Sequence, residues 1–186
     1  MTTEAKLKNA LREAMQTQPL SEINVTLLCE RCHCHRQTFY YHYQDMYDLL
    51  AAIFLTEDIS ELEMTKTVIE ALDTILHYCK KNFVFLRSAY ASAASEFVDD
   101  FLYSKIMLKV FNIFLMEDRF GLEKEEYRTL SRRYSKFISN ELSHWLKNTS
   151  VTPARFEKNL KRFIVASEHE VLPGLAKQIY EEKNKK

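Results

Sequence analysis

The sequence predicts an all-α fold, and three observations carry that prediction. Only 2 glycines and 3 prolines occur among 186 residues, too few for the turns of an all-β chain or for a glycine-rich phosphate loop. Apolar side chains return at three- and four-residue intervals along most of the chain, which is the spacing of one helix face. Hydrophobic residues make up 46% of the composition and aromatics 12%, enough for a substantial core and too much for global disorder. No apolar run approaches the roughly 18 residues of a membrane span, and the polar stretch 1–9 lacks the apolar segment of a secretory signal. A cytoplasmic protein without membrane contact is expected.

The elements follow in order. Ala5, Leu7, Ala10, Leu11, Ala14 and Met15 share one face of a first helix, which Pro19 closes after Thr17 and Gln18. Residues 21–25 form a short connector. Thr26 is the expected cap of a second helix, its hydroxyl accepting from the first-turn N–H groups. That helix carries Leu27, Leu28 and Cys29 and ends near 31–33. After a tight turn, a third short helix runs over about 36–43. Asp45 caps a fourth, longer helix with Leu49, Leu50, Ile53, Phe54 and Leu62 along one side. Further helices are expected over 65–80, 82–90, 96–116 and 124–148, with Gly121 as a helix stop. Thr152, as cap, and Pro153, at the first helical position, open the last helix, and a polar tail covers 181–186. The expected domains are 1–48 and 49–186, the second being a larger helical bundle.

Net charge is zero, with 26 basic and 26 acidic residues. Its distribution is uneven: 5 basic against 6 acidic over 1–50, 7 against 12 over 51–123, and 14 against 8 over 124–186. A charged partner or plain solvated helix faces both give such a pattern.

The first 45 residues are the most informative. Three short helices, the second and third joined by a tight turn, have the organisation of a helix-turn-helix, whose later helix lies in the DNA major groove. Within that helix Phe39 and Tyr43 are four residues apart and share a face for packing. Arg36, Gln37 and Tyr40 project away from it. Arginine bonds guanine bidentately, glutamine suits adenine, and an aromatic ring touches a thymine methyl. Tyr41 and His42 offer donors at the rim, where phosphates lie. Thr26 aims a hydroxyl and helix N-terminal amides at a phosphate. The bland alternative for this segment is an ordinary amphipathic helix in a bundle.

The stretch Ile23-Asn-Val25-Thr26, then eleven residues, then Thr38-Phe39-Tyr40-Tyr41-His42-Tyr43, then Leu49-Leu50 resembles the N-terminal domain of TetR-type (TetR/AcrR) transcriptional regulators. The match covers about residues 5–50. The Arg-Gln-Thr-Phe-Tyr run is also similar to regulators of the dihydroxyacetone-kinase type. The resemblance implies a homodimer on a palindromic double-stranded DNA operator, with a C-terminal domain that carries a small-molecule effector pocket and a dimer interface on its last long helices. It implies base contacts from Arg36, Gln37 and Tyr40 and backbone contacts from Thr26, Thr38, Tyr41 and His42. The chain departs from the family pattern at three places. The turn, which usually contains glycine, reads Cys32-His33-Cys34; His35 stands where Ser or Thr usually caps the recognition helix; and Met46 replaces a common lysine.

The cluster Cys29-x-x-Cys32-His33-Cys34-His35 has three readings. Buried thiols pack as small hydrophobes, Cys29, Cys32 and Cys34 could ligate zinc, or a thiol could sense redox state. A disulfide framework does not suit a chain without a secretory signal. In the middle helices the many Phe and Tyr residues either line an apolar pocket or form core. His77, Cys79 and Tyr103 are the more polar candidates for ligand contact, and Arg87 would suit an anion. Phe137, His144 and Trp145, on the long penultimate helix, are candidates for a dimer interface. No nucleophile elbow, phosphate loop or His-Glu-x-x-His motif is present. The adjacent acidic pairs Asp99-Asp100 and Glu117-Asp118 point about 100° apart on a helix. Neither enzymatic activity nor a cofactor is expected.

Overall fold

The computed structural model describes residues 2–148 and 150–183. The all-α expectation holds: among the described residues there are helices and no strand. No helix among them is long and apolar enough to cross a membrane. The chain divides into two compact units, Met1–Asp58 with Asn82–Phe101, and Ile59–Lys81 with Leu102–Lys186.

The first unit contains α1 (Thr3–Ala14), α2 (Val25–Cys32), α3 (Arg36–His42), α4 (Met46–Thr56), α6 (Phe83–Tyr90) and the start of α7 (Ser95–Glu117). Helix α1 packs on α2 and α4, and α2 packs on α3. The shared core is Leu7, Leu11, Leu28, Phe39, Leu49 and Leu50, all fully buried. Each such side chain contributes about 1.5–3 kcal/mol through removal from water. The ring of Phe54 stacks on Phe85 with centroids 5.5 Å apart and tilts against Phe101 at 5.6 Å. Arg12 binds the unit across long sequence separations. Its guanidinium lies 4.4 Å over the Phe85 ring, donates to Asn82 Oδ1 at 3.1 Å, and pairs with the Glu57 carboxylate.

The second unit contains α5 (Val68–Lys81), the rest of α7, α8 (Lys124–Lys147), α9 (Pro153–Ala166) and α10 (Leu172–Lys183). Lys161 of α9 reaches Asp73 of α5 at 2.5 Å and its own-helix Glu157 at 2.8 Å, and Lys80 also pairs with Glu157. This network ties α5 to α9. Tyr134 of α8 stacks on Phe114 with centroids 5.9 Å apart, and its hydroxyl meets Ser167 Oγ at 2.6 Å. Ser131, Ser135, Ser139 and Ser143, one turn apart along α8, are all buried.

Several boundaries differ from the sequence reading. Asn24, not Thr26, caps α2: its side chain accepts from Leu27 N at 3.0 Å, and Thr26 lies inside the first turn, exposed. Helix α4 ends at Thr56, because Glu57 turns extended and gives its carboxylate to Arg12. Leu62 therefore sits in a separate 3₁₀ turn, Ser60–Leu62. Helix α5 begins at Val68, where Thr67 Oγ1 accepts from Glu70 N and the Glu70 carboxylate accepts from the N–H groups of Lys66 and Thr67. Asp118, at φ 46°, follows the last residue of α7, and Gly121, at φ 57°, lies further on in the connecting turn. Asp45, Thr152 and Pro153 hold their expected capping positions. The last helix is interrupted by a π-helical turn at Ser167–Val171. Of the tail, 181–183 is helical and 184–186 lies outside the described residues.

Candidate nucleic-acid interface

The turn between α2 and α3 fixes how α3 is presented. His33 adopts a left-handed conformation (φ 52°, ψ 47°). Its N–H donates to Glu30 O at 3.2 Å, and the Cys34 N–H donates to Cys29 O at 3.0 Å. This hydrogen-bond pair is the Schellman motif, which ends a helix and reverses the chain. Histidine here fills a position that favours glycine. Three residues, 33–35, separate the two helices, the short connection of a helix-turn-helix.

Helix α3 divides by face. Phe39 is fully buried and Tyr43 nearly so, with ring centroids 5.9 Å apart. On the other side Arg36 and Gln37 are exposed, Tyr40 is 51% exposed and Tyr41 85%. The Arg36 guanidinium lies 6.0 Å from the Tyr40 ring centroid, one turn away. Tyr40 and Tyr41, adjacent in sequence, point about 100° apart, so their rings stand at two places around the solvent side of the helix. The next helix is fixed by Asp45, whose Oδ1 accepts from Tyr47 N and Asp48 N at 2.8 and 2.9 Å, while Asp48 Oδ2 accepts from Gln44 N at 3.0 Å.

The remaining site candidates are placed less uniformly. Thr38 is half-buried. The His42 ring turns towards α1, with Nδ1 3.2 Å from Glu4 Oε1, so a phosphate contact from this ring would run through Nε2. Tyr47, exposed in the first turn of α4, was not singled out by the sequence reading, and only its aromatic character beside the Asp45 cap could have marked it. Among the five cations of residues 1–50, Arg12 is engaged internally and Lys8 donates to Thr56 Oγ1 at 3.0 Å. Lys6, Arg31 and Arg36 are exposed.

Cys29, Cys32 and Cys79 are buried and Cys34 is half-buried. Burial, then a hydrogen bond with Cys34, pushes the Cys29 thiol up to about 11, and burial raises Cys32 as well. Metal binding requires thiolates. Among the described residues no group of three or more His, Cys, Asp or Glu side chains is placed to hold a metal ion, so Cys29, Cys32 and Cys34 do not converge as ligands.

In the second unit, Phe137, His144 and Trp145 lie together along one groove of about 370 Å³ between α8 and α9. Trp145 stacks on Phe156 (centroids 4.8 Å apart, planes at 7°) and Phe137 meets Phe163 at 4.4 Å. Phe163 is 44% exposed. His77 is exposed, Tyr103 is half-buried, and Cys79 is fully buried, which pushes its thiol up to about 12. An apolar cleft lined by Val68, Leu72, Ile106, Val110 and Ile138 has a volume of only about 10 Å³, room for one water.

These features define a helical protein with an N-terminal helix-turn-helix, and its fold is that of TetR-family regulators. Two solved structures illustrate the similarity. One is the dihydroxyacetone kinase operon activator DhaS, with a TM-score of 0.67 and 18% identity, covering 94% of this chain and 96% of that one. The other is the TetR family repressor AlkX from Dietzia sp. strain DQ12-45-1b, implicated in biodegradation of n-alkanes, with a TM-score of 0.60 and 12% identity, covering 92% and 97%. No family model matches the sequence, and no curated protein matches it.

Proposed function

We propose that this chain is a sequence-specific DNA-binding transcriptional regulator of the TetR type and not an enzyme. It acts as a homodimer on a palindromic operator and answers to a small effector. The observation that carries this reading is the two-sided α3: Phe39 and Tyr43 are sunk in the core while Arg36, Gln37, Tyr40 and Tyr41 stand in solvent. Arg36, Gln37 and Tyr40 read base edges, and Thr26, Thr38, Tyr41 and His42 contact the sugar–phosphate backbone. Residues 1–48 serve as the DNA-binding domain, and 49–186 as the effector-binding and dimerisation domain. The aromatic groove between α8 and α9 supports a dimer interface at Phe137 and His144, with Trp145, only 2% exposed and stacked on Phe156, forming the floor beneath them, since interface cores are enriched in aromatics. Effector binding acts as a population shift that changes the spacing of the two recognition helices. His77, Cys79 and Tyr103 are its proposed contacts.

Salt dependence of DNA binding tests the reading. With Arg36 on the bases, Lys6 and Arg31 are the exposed cations left for phosphates in each DNA-binding domain, and a dimer neutralises about four phosphates. The slope of log K against log salt is then about −4. Binding that does not respond to salt would refute a phosphate-contacting role.

A further inference from the structure

The Schellman turn before α3 places two cysteines against each other. In this motif the residue after the left-handed position packs on the residue five back. Those residues are Cys34 and Cys29, and their thiols lie within hydrogen-bonding reach. The 3.0 Å bond from Cys34 N to Cys29 O, with standard bond lengths, keeps their Cα atoms within about 7 Å, inside the span a disulfide tolerates. No disulfide joins them now. Cys29 and Cys32 are buried while Cys34 is half-buried, so Cys34 is the thiol a small oxidant reaches first. Cys34 also lies two residues before α3 begins.

We propose that Cys29 and Cys34 form a peroxide-oxidisable dithiol whose disulfide displaces α3 and weakens DNA binding; that consequence rests on the regulator reading above. The Cys34 thiolate attacks one oxygen of hydrogen peroxide, the O–O bond breaks, and the departing hydroxide takes a proton to become water. The Cys29 sulfur then attacks the Cys34 sulfenic acid. The S–S bond forms, the S–O bond breaks, and the hydroxyl leaves as a second water with the Cys29 proton. Two thiols are oxidised by two electrons, and peroxide is reduced by the same two. The sulfurs must close from hydrogen-bond separation to about 2.05 Å, a movement made in the turn that sets α3.

The full chain is treated with hydrogen peroxide, remaining thiols are alkylated, and the protein is cut with trypsin. The expected product links peptide 13–31 to peptide 32–36. The link survives in Cys32→Ala and is lost in Cys34→Ala and in Cys34→Ser, while Cys79 remains alkylatable. Oxidation weakens binding to a duplex selected with the reduced protein by about tenfold or more, and dithiothreitol restores it. Four thiols still alkylated after peroxide, or a link that follows Cys32 instead of Cys34, would overturn the dithiol. A disulfide that leaves binding unchanged would overturn the switch. A reduced protein that binds no duplex would refute the regulator reading, while the peptide link still decides the dithiol.

Discussion

Replacing His33 by glycine should stabilise the protein, which is unusual for a substitution that deletes a side chain. His33 is exposed and held at φ 52° and ψ 47° by the turn's two hydrogen bonds. The left-handed conformation costs an L-residue about 1–2 kcal/mol. Glycine removes that cost but takes back about 0.5–1 kcal/mol through its freer unfolded chain. The expected net gain is about 0.5–1 kcal/mol. His33→Val, β-branched and poorly suited to positive φ, should lose about 1 kcal/mol or more. The two variants should therefore differ by about 2 kcal/mol, or about 4–8 °C in melting temperature for a chain of this size. Urea denaturation followed by circular dichroism measures both. Equal stabilities for the two variants would show that the α2–α3 turn is not left-handed in solution. A destabilised His33→Gly would show that the imidazole makes contacts this reasoning omits.

Other expectations concern binding, assembly and acid stability. Gln37→Ala and Tyr40→Ala should relax sequence preference, while Tyr41→Phe should weaken binding to all sequences alike; binding across a panel of single-base operator variants separates the two patterns. Phe163→Glu, which sets a charge in the aromatic groove between α8 and α9, should halve the mass seen by sedimentation equilibrium, and an unchanged dimer would move the interface elsewhere. Hydrogen bonds from Lys161 and then Lys80 hold the Glu157 carboxyl down at about 2, below its usual 4.5. Its contribution is thus complete above pH 4.5 and disappears as pH falls towards 2. Wild type and Glu157→Gln should differ in urea midpoint at pH 7 and converge near pH 2, and a gap that persists at pH 2 would refute the assignment.

What the sequence discloses and what it conceals follow from range. The buried face of α3 was legible because Phe39 and Tyr43 are one turn apart, and the Asp45, Thr152 and Pro153 caps were legible because capping chemistry is local. The cap of α2 was misread because Asn24 and Thr26 are both competent and only backbone angles choose between them. The turn at His33 carried no glycine to announce a left-handed residue. The end of α4 depends on Glu57 meeting Arg12, 45 positions away, and the orientation of His42 depends on Glu4. Periodicity cannot report such contacts. In the second unit, Phe137, His144 and Trp145 were found as aromatic and polar residues on one long helix and do share a groove. His77, Cys79 and Tyr103 were chosen by polarity alone, and polarity does not reveal which cavity a side chain reaches.

The most direct test of the central claim is selection of bound sequences from a random duplex pool by the purified, reduced protein. The account predicts an enriched palindrome whose half-sites lie about one helical turn apart, with enrichment lost at defined positions in Gln37→Ala and Tyr40→Ala. A pool that emerges unenriched from protein shown to be folded and dimeric would contradict it.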